Sequence, residues 1–116
     1  MSRLEIIDGT SWSELLDAEA ALLVLGRSDC AACAMWREEL ESFLATDETW
    51  THVRFGHLPL DQKGLLEFKR ANPWVAEVCE LPTNLLYVRG AKKKTWLGGG
   101  ANRLVERLES VRRKAR

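Results

Sequence analysis

Cysteine is scarce in this sequence: the chain of 116 residues contains three. An odd number of cysteines cannot all pair within one chain, and a reducing compartment would keep a merely structural pair open. A chain of this length can also bury a hydrophobic core without covalent staples. The cysteines are therefore expected to serve chemistry rather than architecture.

Long apolar runs are also missing. The longest one, residues 20–25, is far too short to cross a bilayer. Glu5 and Asp8 interrupt the N-terminal segment, so it holds no apolar run of signal-peptide length. We therefore expect a cytoplasmic protein that is neither exported nor attached to a membrane.

The chain has no excess of charge of either sign. Its 17 basic and 17 acidic residues cancel, so no overall field favours nucleic acid. The one strongly basic stretch is the tail at residues 112–116, which is typical of a solvated helix end because Lys and Arg there complement the helix dipole. We therefore expect no nucleic-acid partner.

The composition is that of one ordinary folded domain. Hydrophobic residues make up 46% and charged residues 29% of the chain, which is close to the usual values for globular proteins and argues against disorder. The sequence shows no repeat, no low-complexity segment and no linker. We therefore expect residues 1–116 to form a single domain.

Hydrophobic periodicity predicts alternating strands and helices. Strands are expected at residues 4–7, 21–25, 53–60, 85–88 and 95–97, and helices at about residues 11–20, 28–44, 63–71 and 104–111, with a short helix restarting at residue 73. Ser11 and Glu14 have the spacing of a capping box at the first helix. This order predicts an α/β fold whose central mixed sheet of about five strands is flanked by about four helices.

Two cysteines carry the chemistry that the sequence predicts. Cys30 and Cys33 form a CxxC motif where a buried strand passes into the second helix, which Ser28 or Asp29 can cap. A cysteine at a helix N-terminus faces unpaired N–H groups, which favour the reactive thiolate. One helical turn brings the second sulfur near the first, so Cys30 can attack a disulfide and Cys33 can resolve the product.

Other interpretations of the cysteines stay open at this stage. A structural zinc site normally uses four ligands, and Cys30 with Cys33 supplies only two of them. Cys79, His52 and His57 could add ligands, but none of them belongs to a second CxxC or CxxH pair. A redox-inert pair that fills space is a further alternative, because free cysteines are commonly buried. We predict no metal site and no cofactor.

The remaining cysteine and the two histidines are interpreted as structural residues. Cys79 stands three residues before Pro82 and could be an extra redox thiol, but the usual burial of cysteine favours a small apolar filler. His52 and His57 flank Phe55 on the third strand, and local sequence places neither beside the CxxC motif. Both histidines are predicted to be partly exposed strand residues rather than catalysts.

A second motif completes a resemblance to a known family. Leu81-Pro82-Thr83 leads directly into the fourth strand, and a hairpin, a glycine run and an amphipathic helix follow it. Together with the CxxC motif at a strand-to-helix junction, this pattern resembles thioredoxin over nearly the whole chain, most strongly at residues 21–44 and 81–111. The resemblance implies a thioredoxin-like fold and a thiol–disulfide oxidoreductase.

The same resemblance implies how a substrate is held. In thioredoxins the proline that matches Pro82 is cis and lies beside the two sulfurs, and the backbone at Leu81 is presented to an extended substrate segment, as in strand addition. The implied partners are a protein or small-molecule disulfide substrate and an external reductant that the sequence does not identify. No cofactor is implied.

The sequence also departs from the thioredoxin pattern. Asp29 replaces the tryptophan before the first cysteine, Ala31-Ala32 replaces Gly-Pro, and Val24 stands where thioredoxin has a buried acid that accepts a proton. The negative charge of Asp29 should oppose thiolate formation at Cys30, which would make Asp29 a redox-tuning residue. The alternatives are a thioredoxin-like binding module whose redox chemistry is incidental, or a metal carrier that uses Cys30 and Cys33.

Overall fold

The computed structural model describes residues 2–114, in which five strands and four α-helices follow in the predicted order. The strands are β1 (Leu4–Ile6), β2 (Ala20–Gly26), β3 (Arg54–Pro59), β4 (Thr83–Val88) and β5 (Ala91–Leu97). The helices are α1 (Trp12–Leu16), α2 (Ala31–Thr46), α3 (Leu66–Ala71) and α4 (Ala101–Lys114), with a 3₁₀ helix at Pro73–Glu77. The last two residues of the basic tail, Ala115 and Arg116, lie outside the described residues.

The strands form one mixed sheet in the order β1-β3-β2-β4-β5. Strands β1 and β2 run parallel to β3, whereas β4 is antiparallel to both β2 and β5. The apolar run of β2 therefore lies at the centre of the sheet, where both of its faces can be covered. This arrangement confirms the predicted five-stranded mixed sheet with flanking helices.

Alternation along β2 divides the core into two halves. Leu22 and Val24 point to the face that α2 and α4 cover, with Trp36, Leu40 and Leu104. Ala21, Leu23 and Leu25 belong to the opposite half, which α1, α3 and the 3₁₀ helix cover. Side chains of one strand therefore contact helices on both sides of the sheet, as the continuous apolar run predicts.

The first helix differs from its prediction. Helix α1 ends at Leu16, earlier than expected, and the capping box does not form. Ser11 has a helical rather than an extended backbone, and its hydroxyl bonds to Asp8 instead of capping α1. The partner in the expected box, Glu14, pairs with Arg54 on β3 at 3.2 Å. Tertiary partners have thus replaced the local motif.

Helix α2 follows its prediction closely. Its apolar stripe buries Cys33, Trp36, Leu40 and Leu44, while Phe43 is half-buried at the edge of the same core. This stripe fixes which face of α2 meets the sheet, and hence where the cysteines point. Among residues 2–114, no helix combines the length and the apolar character that crossing a membrane requires.

Candidate active site

Helix α2 begins at the first cysteine. Cys30 is the N-cap residue, with an extended backbone at φ −106° and ψ 109°. Its sulfur accepts a hydrogen bond from the main-chain N–H of Cys33 at 3.1 Å. The cap predicted at Ser28 or Asp29 is therefore supplied by the cysteine itself. Because helix N–H groups and the positive end of the dipole face this sulfur, they favour its thiolate form.

The two cysteines differ in exposure. They are joined in a disulfide, with their Cα atoms 5.2 Å apart. Cys33 is buried at 2% exposure, whereas Cys30 is partly exposed. The outer sulfur can therefore meet a substrate from solvent, and the inner sulfur lies within disulfide distance of it.

The Leu81–Pro82 segment lies at the end of the sheet where β2 passes toward α2. Leu25, next to the last residue of β2, pairs with Thr83, the first residue of β4. The Leu81–Pro82 peptide bond is cis, and the buried Pro82 accepts a hydrogen bond from the Gly98 N–H at 2.9 Å. Within residues 2–114, the main chain of Leu81 has no hydrogen-bond partner.

Asp29, the residue before the first cysteine, forms an ion pair with Arg27. Asp29 is exposed, and its carboxylate accepts a hydrogen bond from the Arg27 guanidinium at 3.2 Å. The positive charge of Arg27 therefore offsets part of the negative charge that Asp29 places next to Cys30. The sequence analysis predicted a redox-tuning role for Asp29 but did not predict this counter-charge.

The loop that leads to Cys30 is tethered from β3. The Asp61 carboxylate, just beyond β3, accepts hydrogen bonds from the Ser28 N–H at 3.1 Å and from the Ser28 hydroxyl. These hydrogen bonds, the one from the hydroxyl first, hold the pKa of Asp61 below its usual value. Asp61 is therefore ionised near neutral pH and fixes the path of the chain from β2 to the cysteine cap.

His57 is the candidate that the sequence prediction missed. The prediction of a partly exposed strand residue is wrong, because His57 is 4% exposed. It lines a single cavity with Cys30, Cys33 and Arg37. His57 shares a strand face with Phe55, which packs in the core beneath α2, so the two-residue alternation of β3 was the available signal.

The third cysteine does not have the environment that was predicted. Cys79 is a free thiol with an exposed side chain, so the prediction of a small apolar filler is wrong. It follows the end of the 3₁₀ helix, where the chain leaves the core. No cluster of three or more His, Cys, Asp or Glu side chains suited to a metal ion occurs within residues 2–114.

No protein-family model matches the chain, and comparison with curated protein sequences gives no match. Solved structures match over almost the whole length. Thioredoxin O2 from Arabidopsis thaliana in the oxidized state superposes with a TM-score of 0.72 at 16% identity, covering 94% of both chains. Oxidised thioredoxin from Plasmodium falciparum gives a TM-score of 0.70 at 18% identity, over 93% of this chain and 97% of its own.

A third structure agrees with these two. Thioredoxin f from spinach chloroplast, in its long form, has a TM-score of 0.74 at 14% identity, over 94% of this chain and 86% of that one. Identities this low establish a shared fold and nothing finer. The similarity agrees with the strand order, the helices on both faces and the CxxC pair at the start of α2. The chain therefore has the thioredoxin fold.

Proposed function

We propose that this chain is a thiol–disulfide oxidoreductase in which Cys30 attacks and Cys33 resolves. One observation carries the proposal: the partly exposed sulfur of Cys30 caps α2, one helical turn from the buried sulfur of Cys33. The cap favours a nucleophilic thiolate, and the buried partner is within reach of the mixed disulfide. The thioredoxin fold of the chain supports this activity in general.

The reaction is an exchange of two electrons between sulfur atoms. The Cys30 thiolate attacks one sulfur of a substrate disulfide, and the other substrate sulfur leaves as a thiolate and is protonated. Cys33 then attacks the Cys30 sulfur, forms the internal disulfide and releases the second substrate thiol. An external dithiol must later reduce the Cys30–Cys33 disulfide for another turnover.

We also propose that the Leu81–Pro82 segment holds the substrate. The Leu81 main chain makes no hydrogen bond within the described part of the chain, and it lies at the end of the sheet where α2 begins. An extended segment beside the scissile disulfide could pair with this main chain as an added strand. The proposed substrates are protein or small-molecule disulfides.

The first test is reversible closure of the cysteine pair. We expect reduced protein, equilibrated anaerobically with glutathione mixtures, to show one two-electron transition, assigned to Cys30 and Cys33 by alkylation and mass spectrometry. Because Asp29 opposes the Cys30 thiolate, the midpoint should lie nearer about −270 mV, as in thioredoxin, than about −120 mV. A Cys79→Ser variant is the matched control and should give the same transition.

Two outcomes would contradict the assignment of the pair: a disulfide that includes Cys79, or a failure of Cys30 and Cys33 to pair. A midpoint above about −200 mV, in the range of oxidising isomerases, would contradict the predicted reducing potential. Metal analysis of protein purified without chelator adds an independent test, because stoichiometric zinc would favour the carrier interpretation.

If Asp29 tunes the reactivity of Cys30, neutralising Asp29 and neutralising Arg27 should change the alkylation rate of Cys30 in opposite directions. Asp29→Asn should speed alkylation of Cys30 by iodoacetamide about two- to threefold, and Arg27→Gln should slow it by a similar factor, as expected for exposed charges. The rates are measured near neutral pH on reduced protein that carries Cys79→Ser, so that the exposed thiol does not react.

A double variant with Arg27→Gln and Asp29→Asn distinguishes an effect of charge on the alkylation rate from a structural disturbance of the loop. With both Arg27 and Asp29 neutral, the alkylation rate should lie between those of the single variants. If both single variants change the rate in the same direction, the electrostatic interpretation of Asp29 is wrong.

A further inference from the structure

A buried imidazole faces the inner cysteine. His57 lies on β3 opposite Val24 of β2 and Ile6 of β1, so apolar side chains stand beside it in the sheet. With 4% of its surface exposed, it lines a cavity of about 110 Å³ together with Cys30 and Cys33. The imidazole is therefore enclosed on the same side of the sheet as the two sulfurs.

Gly26 leaves the space between the imidazole and the inner sulfur open. A Cβ at this position would stand 2.7 Å from His57 Nε2 and 3.4 Å from Cys33 Sγ. Both atoms thus lie near one point, within about 6 Å of each other. One water molecule can bridge such a distance.

The imidazole of His57 makes no hydrogen bond to any other described residue. Neither Nδ1 nor Nε2 of His57 has a hydrogen-bond partner among residues 2–114. A buried polar group without a partner is costly, so its presence requires an explanation. The polar groups around the cavity are the two cysteines, Ser28 and two arginines. Among them, the Cys33 thiol is the group that must lose a proton before the resolving attack.

The surroundings keep this imidazole neutral. The charged groups that face the cavity are Arg37 on α2 and Arg27 on the loop after β2, and both are positive. Burial first, and then the positive charge of Arg37, lower the pKa of His57 below its usual value. At neutral pH the ring is therefore uncharged and has a free nitrogen that can accept a proton.

We propose that His57 is the proton acceptor for the Cys33 thiol in the resolving step, an inference that rests on the proposed function. His57 takes the Cys33 proton directly or through one water, and the resulting thiolate attacks the Cys30 sulfur of the mixed disulfide. The Cys33–Cys30 bond forms, the bond from Cys30 to the substrate breaks, and the released substrate thiolate is protonated by solvent. The imidazolium returns its proton to solvent, or to Cys33 when the disulfide is reduced again.

The test separates the attack by Cys30 from the resolution by Cys33. Reduced protein carrying Cys79→Ser is mixed with dithiobis(nitrobenzoate) in stopped flow. The first coloured thiolate is released when Cys30 attacks, and the second when Cys33 resolves the mixed disulfide. In His57→Gln we expect an unchanged first phase and a second phase slowed by about 100-fold at neutral pH. The difference between the second-phase rates of His57→Gln and the wild type should become smaller at alkaline pH, where the Cys33 thiol loses its proton to solvent.

His52 provides the matched control. It is the only other histidine of the chain and it is exposed, so His52→Gln should leave both phases and their pH profiles unchanged. Equal slowing of both phases in His57→Gln, or a second phase with the wild-type rate and pH profile, would overturn the proposal for His57. A wild-type protein that releases no second thiolate would instead overturn the proposed function.

A measurement on the unmutated chain keeps the proposal testable even if His57→Gln does not fold. NMR titration of the two imidazoles is carried out on the oxidised and the reduced protein. We expect the midpoint for His57 to differ between the two forms, because reduction places a titrating thiol next to it. Identical titration of His57 in the two forms would refute the assignment.

Discussion

Replacement of Cys33 by serine is expected to turn the protein into a trap for its substrates. Without the resolving thiol, the mixed disulfide that Cys30 forms has no internal route to release. Incubation of reduced Cys33→Ser with a disulfide-linked peptide dimer should therefore give nearly stoichiometric adducts at Cys30, detected by intact mass spectrometry under non-reducing conditions. Turnover of the dimer should fall to the uncatalysed rate.

Cys30→Ser is the matched variant, and it should trap almost nothing. Its remaining motif cysteine, Cys33, is 2% exposed and cannot meet a peptide disulfide without opening the helix cap. Both variants are made with Cys79→Ser, because the exposed Cys79 thiol could form adducts of its own. Equal trapping by Cys30→Ser and Cys33→Ser would refute the assigned roles.

Most of the fold was predictable because its signals are local. The apolar run of β2, the stripe of α2 and the glycine-bounded last helix each follow from residues close together in the chain. The first helix was predicted less well, since Ser11 and Glu14 have the spacing of a capping box but bond to Asp8 and Arg54 instead. Such competition between local and tertiary partners cannot be seen in one short segment of sequence.

The candidate site, like the fold, has parts that local sequence predicted and one part that it did not. The CxxC motif was predictable because both cysteines lie on one helical turn, and Pro82 was predicted as a substrate-binding residue only through the resemblance to thioredoxin. His57 was missed because its place beside Cys33 depends on the register of β3 against β2 and on the missing side chain of Gly26. Strand pairing over such sequence separations leaves no local pattern beyond the two-residue alternation.

A buried polar bridge holds the two halves of the candidate site together. Trp36 lies on α2 three residues after Cys33, and its indole N–H donates to the Asn84 side-chain oxygen at 2.8 Å. The amide of Asn84 in turn donates to the carbonyl groups of Gly98 at 2.7 Å and Trp96 at 3.2 Å. Asn84 follows the Leu81–Pro82 segment, so this bridge fixes the cysteine helix relative to that segment.

We expect Asn84→Leu to be strongly destabilising. Asn84 is fully buried, so the substitution would leave the Trp36 indole N–H and the Gly98 carbonyl without this partner, each at a cost of about 1–3 kcal/mol. A total loss of roughly 3–5 kcal/mol is a large part of the stability of a small domain. Guanidinium unfolding should show the loss as a lower transition midpoint with an unchanged slope.

Comparing substitutions at two tryptophans of the same core distinguishes the stability lost with the hydrogen bond from the stability lost with ring packing. Trp36→Phe removes a donor and leaves the Asn84 oxygen unpaired, whereas the indole N–H of Trp96 has no partner within residues 2–114. Both variants lose a comparable ring volume, so Trp36→Phe should cost about 1–2 kcal/mol more than Trp96→Phe. A cycle of Trp36→Phe and Asn84→Leu should give a favourable coupling of similar size. Additive losses in that cycle would show that the bridge does not stabilise the site, and the position of α2 would then depend on apolar packing alone.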